Sequence, residues 1–127
     1  MGKLFHHLAL GALLAVGASA APAQKSNEIH IPIGQSPGLS GKVTVIARIQ
    51  TLNPVERSLT LMNAEGATIA VRTNSQTKIW LDRSQQKLPN RKVEFTDLRA
   101  NMRVEVKYRD NDRQTAVAEW IKAEAIE

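Results

Sequence analysis

Trp80 is followed within a dozen residues by Arg83, Lys87, Arg91 and Lys92. An indole beside four cations on a polar segment has the chemistry to hold an anion, because the charges attract it and the ring supplies an apolar contact. The segment RSQQKLPNRK is the one connection long enough to carry function rather than merely join two elements. These five residues form the expected binding surface. Its expected partners are an acidic protein patch, an anionic glycan or a lipid headgroup. An ordinary solvated loop has the same composition.

Other chemistries have less to work with. A soft-metal carrier for copper or silver is the alternative reading, and it would draw on His30, Met62, Trp80 and Met102. Thioether and imidazole ligands must converge to select such a metal; His30 falls in the expected tether and Met62, Trp80 and Met102 on different expected strands, so no metal or other cofactor is expected. Catalysis is not expected either. The chain has no cysteine, and Ser40, Ser58, Ser75 and Ser84 stand in no nucleophile motif. Asp110-Asn111-Asp112 lacks the glycine and distal glutamate of a calcium loop and reads as a turn. Single-stranded nucleic acid is held by stacked aromatics on a basic groove. Only Trp80, Phe95, Tyr108 and Trp120 follow the N-terminal apolar run, and Tyr108 faces inward, so nucleic acid is not the expected partner.

The elements that must position these residues are strands. In KVTVIARIQTL, Val43, Val45, Ala47 and Ile49 alternate with Thr44, Arg48 and Gln50, the period of a half-buried strand. Leu59 and Leu61 in SLTLMN, Ile69 and Val71 in ATIAVRT, and Ile79 and Leu81 in TKIWLD continue the pattern. Met102, Val104, Val106 and Tyr108 alternate with Arg103, Glu105, Lys107 and Arg109. Turns separate them at Asn53-Pro54, at Ala64-Glu65-Gly66, around Asp97 to Asn101, and at Asp110-Asn111-Asp112. The closing RQTAVAEWIKAEAIE stays open from local pattern, with helix favoured by its Ala, Glu and Lys content. Five to six short strands at roughly 8–12-residue spacing predict an all-β fold, a small, partly open antiparallel barrel resembling the oligonucleotide-binding type.

Upstream, Lys3 precedes the apolar run Leu8 to Ala18 and the small residues Ala18-Ser19-Ala20 and Ala21-Pro22-Ala23. This is the pattern of a secretory signal peptide over residues 1–23, cleaved after Ala20 or Ala23. The run is shorter than the about 20 apolar residues that span a bilayer, so no stable membrane insertion is expected after cleavage. No cysteine follows it, which excludes a lipoprotein anchor. Residues 24–40, rich in Ser, Gly and Pro, read as a short extended tether before a domain over 41–127. The net charge of +5 at pH 7 is well mixed in sign. The expected compartment is the bacterial periplasm or the medium, where a protein without disulfides must be held by its core.

The order of motifs also carries a resemblance. Gly41 and Val43, Gly66, Thr77 and Ile79, Asp97 and Leu98, Val104 and Val106, then Ala118 and Ile121 match a G-x-V, T-x-I, D-L-x-x-G-x-x-V-x-V and A-x-x-I succession. From Gly41 to about Glu124 the chain resembles a widespread bacterial family of exported small β-barrels, a domain of unknown function. The resemblance implies that the last segment is a strand closing the barrel, and it brings no established chemistry. Asn101 stands where that family carries glycine; asparagine tolerates the left-handed backbone such a turn needs. The combined expectation is an exported, non-catalytic binding or scaffolding module for a protein or anionic envelope component.

Overall fold

The computed structural model describes residues 30–125. The expected signal peptide and the first part of the tether lie outside them. Seven strands follow in chain order: β1 Val45–Asn53, β2 Ser58–Met62, β3 Thr68–Arg72, β4 Lys78–Asp82, β5 Arg91–Val93, β6 Arg103–Tyr108 and β7 Ala118–Glu124. They form one mixed sheet in the order β3-β2-β1-β6-β7-β4-β5. The described residues include short 3-10 turns at Ser84–Gln86, Phe95–Asp97 and Arg109–Asn111, and no α-helix.

Two expectations are corrected here, the strand count and the purely antiparallel pairing. Strands number seven rather than five to six, because the polar segment after Asp82 holds a short edge strand, β5, paired antiparallel with β4. The sheet is not wholly antiparallel, since β4 runs parallel to β7 from Lys78–Trp120 to Asp82–Glu124. With β3 and β5 at its edges it is not closed into a barrel. One isolated parallel bridge, Arg72 to Val117, still brings the end of β3 to the residue before β7. β3 and β4 are thus successive parts of one course along the 117–124 segment, interrupted at Thr73–Thr77. The last segment is strand, and the ambiguity in its pattern has a cause. A register irregularity between Lys107 and Tyr108 leaves Glu119 out of the alternation.

Alternation determines the core. Val45, Ala47, Ile49, Leu59, Leu61, Val71, Ile79, Val104, Val106, Tyr108, Ile121 and Ala123 are buried on one side of the sheet, with Val93, Phe95, Leu98 and Met102 joining them. Each large apolar side chain so buried contributes about 1.5–3 kcal/mol. A bulge in β1 between Ile49 and Thr51 bends that long strand, which is how it serves both β2 and β6. At the turn into β6 the backbone of Asn101 is left-handed, with φ 75°.

The opposite face of β6 and β7 was expected to be solvated, and it is not. Glu105 and Lys122 are both 0% exposed and Asp82 only 3%. Trp80, Lys122, Glu105 and Ile46 form one cross-strand row, and the chain from His30 to Thr44 lies over it as a strap. Glu105 Oε1 accepts the Gly34 N–H at 2.9 Å. Its Oε2 accepts the Ser40 hydroxyl at 2.8 Å and the Thr44 hydroxyl at 2.7 Å. Asp82 accepts the N–H groups of Ile33 at 3.0 Å and Ser84 at 2.9 Å, and Lys122 Nζ donates to the Ile31 carbonyl at 2.5 Å. Buried carboxylates so satisfied are stable in place, because each charge-assisted bond offsets part of the lost hydration. Over its described part the expected tether is therefore docked chain. Its prolines and glycines build turns, as at Gln35 N–H to Pro32 O and Leu39 N–H to Ser36 O. Gly34 has φ 84°, and a Cβ there would lie 3.3 Å from the Arg103 guanidinium. Only glycine meets both conditions without strain.

Candidate functional site

The five residues expected to bind do not form one patch. Trp80 and Lys92 are cross-strand partners on one face of the β4–β5 hairpin, while Arg91 pairs with Leu81 on the other. Arg83 folds back, its Nε donating to the Pro89 carbonyl at 2.8 Å. Lys87 ends the 3-10 turn in a left-handed conformation and is exposed. The Trp80 ring is half-buried, 5.8 Å from the His30 ring at 68°, and its Nε1 is buried without a hydrogen-bond partner. His30 of the strap packs against this indole.

What Lys92 joins is a cleft. Where β3 gives way to β4, the run Thr73-Asn74-Ser75-Gln76-Thr77 leaves the sheet, and a depression of about 610 Å³ opens beside it. Ser75, Gln76, Thr77, Lys78, Lys92, Arg109, Asp110 and Glu119 line it. A second depression of about 390 Å³ adjoins it and shares Ser75, Thr77 and Lys92, then continues to Arg57, Glu94 and Phe95. The run between β3 and β4 is held firmly. Gln76 N–H donates to Asn74 Oδ1 at 2.8 Å, and Asn74 N–H to Thr77 Oγ1 at 3.0 Å. The Thr77 hydroxyl donates to the Ala118 carbonyl of β7 at 2.7 Å, and that of Thr73 to the Arg57 carbonyl at 2.6 Å. Ser75 and the Gln76 amide are left exposed.

The charges around this cleft are unevenly engaged. Glu119 is paired with Lys107 at 2.8 Å. The Glu94 carboxylate accepts a backbone N–H in the capping box of the Phe95–Asp97 turn. Lys78, Lys92 and Arg109 come from β4, β5 and the turn after β6, and none of them makes an ion pair among the described residues. Asp110, left-handed at φ 51°, is the remaining acid. Arg57 lies over the Phe95 ring at 5.3 Å. Nearby, burial pushes the Tyr108 phenol above its ordinary value of 10.0, with the Arg113 charge acting in the other direction. A cleft with spare cations and few free acids attracts anions, most strongly at low ionic strength.

Sequence reasoning missed Lys78, Arg109 and Arg57. Thr73 to Thr77, an uninterrupted run of hydroxyl and amide side chains between two apolar strands, was the available signal. The convergence of Arg109 on it depends on a pairing that local pattern does not reveal. Of the residues considered for a soft metal, His30 and Trp80 meet, while the two methionines stay apart from them. Met62 lies opposite Arg48 and Thr68, and the buried Met102 accepts the Arg99 N–H on its sulfur at 3.4 Å. Neither shares a strand with Trp80. Among the described residues no three His, Cys, Asp or Glu group together to hold a metal.

Comparison with protein-family models, with curated proteins and with solved structures returns no match. The functional reading therefore rests on this chain's own geometry.

Proposed function

We propose that this chain is an exported, non-catalytic binding module of the bacterial envelope that holds an anionic component in the cleft beside Thr73–Thr77. The observation that carries the reading is the meeting of Lys78, Lys92 and Arg109 from three elements, while Glu119 and Glu94 are engaged elsewhere. The volume lies in the range of small-molecule sites, and its polar lining suits a hydrated, oxygen-rich ligand. Export rests on the apolar run with its small-residue cleavage pattern, and membership of the exported barrel family on the motif order from Gly41 to Glu124.

The scaffold in this reading is a partly open barrel of the oligonucleotide-binding type. The Arg72–Val117 bridge supports it by bringing the edge strand β3 against the approach to β7, and one continuous apolar core fills the space between. Isothermal titration with a polyuronate at low salt tests the function. Binding is expected for the native chain and is expected to fall at least tenfold when Lys78, Lys92 and Arg109 are all replaced by alanine. Equal binding by the two proteins would overturn the assignment of the cleft. The copper or silver alternative has only the His30–Trp80 contact in its favour, and Ag(I) is expected to leave tryptophan fluorescence unchanged.

A further inference from the structure

Resting on that reading of the cleft, we infer that its ligand is a linear acidic polysaccharide lying along both depressions, rather than a small anion held in one. The two depressions share Ser75, Thr77 and Lys92, so they are one groove with a common middle. Cations mark its whole length: Arg109 at one end, Lys78 and Lys92 along it, and Arg57 at the other. A single phosphate or carboxylate would gather such cations about one point. Cations spread along a groove match charges that repeat along a chain.

The neutral groups between them decide which kind of chain. Ser75 and Gln76 stand exposed on the floor, and hydroxyl and amide groups between the cations match sugar hydroxyls between carboxylates. Stacking surface is what single-stranded nucleic acid would need, and the groove does not offer it. Phe95 is the one aromatic ring among its lining residues, it is 2% exposed, and Arg57 lies across it. Trp80 is half-buried on the hairpin face beside His30.

The test is a titration of the full chain with galacturonic acid, its trimer and its hexamer, and with oligothymidylate of matched charge, all at low salt. Affinity is expected to rise steeply from monomer to hexamer. Arg57→Ala and Arg109→Ala, at opposite ends, are each expected to weaken the hexamer about tenfold, the size of one lost charged hydrogen bond. Lys42→Ala, an equal change of charge on the exposed strap, is expected to leave it unchanged. Circular dichroism of each variant excludes misfolding as the cause. Monomer binding as tight as the hexamer would overturn the groove while leaving an anion-binding cleft. Tighter binding of oligothymidylate would overturn the polysaccharide. Binding of none of the four would overturn the groove and the cleft together.

Discussion

The strap-covered face and the groove are built from the same residue types and use them in opposite ways. Under the strap, Glu105 and Lys122 lie out of water, and Glu105 meets three donors within hydrogen-bonding distance. In the groove, Lys78, Lys92 and Arg109 make no ion pair among the described residues, while Glu119 and Glu94 are engaged by other groups and Asp110 is the remaining acid. Buried charge with its partners fixed shapes the molecule, because removing one member leaves the others stranded. Exposed cations without partners add little to stability; what they provide is attraction for something else. Charge alone therefore does not mark a functional surface. The informative quantity is charge left unanswered.

The largest effect that bears on this contrast is Glu105→Ala. It strands the Gly34 N–H and the Ser40 hydroxyl, leaves the Thr44 hydroxyl only the Leu39 carbonyl as acceptor, and is expected to cost roughly 3–5 kcal/mol in urea denaturation. A loss below about 1 kcal/mol would mean that the strap is not held by this carboxylate, and the contrast would collapse. Asn101→Gly lies in neither region and calibrates the scale. Its left-handed backbone suits glycine at least as well, so the change is expected to be neutral or stabilising by up to ~1 kcal/mol. The smallest effect on stability is expected from the Lys78, Lys92 and Arg109 triple alanine variant, each position contributing within about 0.5 kcal/mol while ligand binding is lost. Salt sharpens the same point. Raising ionic strength is expected to weaken binding in the groove and to leave the cost of Glu105→Ala nearly unchanged, since buried pairs are little screened.

Strand positions were legible because half of each strand faces a core: Leu59 and Leu61, or Val104 and Val106, betray their pairing by alternation alone. Legibility ended where both faces of a strand are covered. Glu105 and Lys122 occupy positions that normally mean solvent, and only three-dimensional placement shows the strap above them. β5 was hidden for a different reason. It is a three-residue edge strand, Arg-Lys-Val, with one buried side chain, and edges are kept polar to discourage pairing between molecules. Of the site, Lys92 could be read in advance because it stands in a basic run. Arg109 could not, because its partners in the groove come from chain segments some thirty residues and some fifteen residues before it.

The place of β7 sets a timetable for the chain. β7, which follows the other described strands in the chain, lies between β6 and β4, and Val117 just before it makes the bridge to β3, so the two parts of the sheet on either side of it have no common partner until it arrives. Hairpins can form early, but the joined sheet depends on contacts distant in sequence, which makes folding slow relative to helical domains of similar size. The same order governs the strap: it can close over Glu105 and Lys122 only once β6 and β7 are paired beneath it.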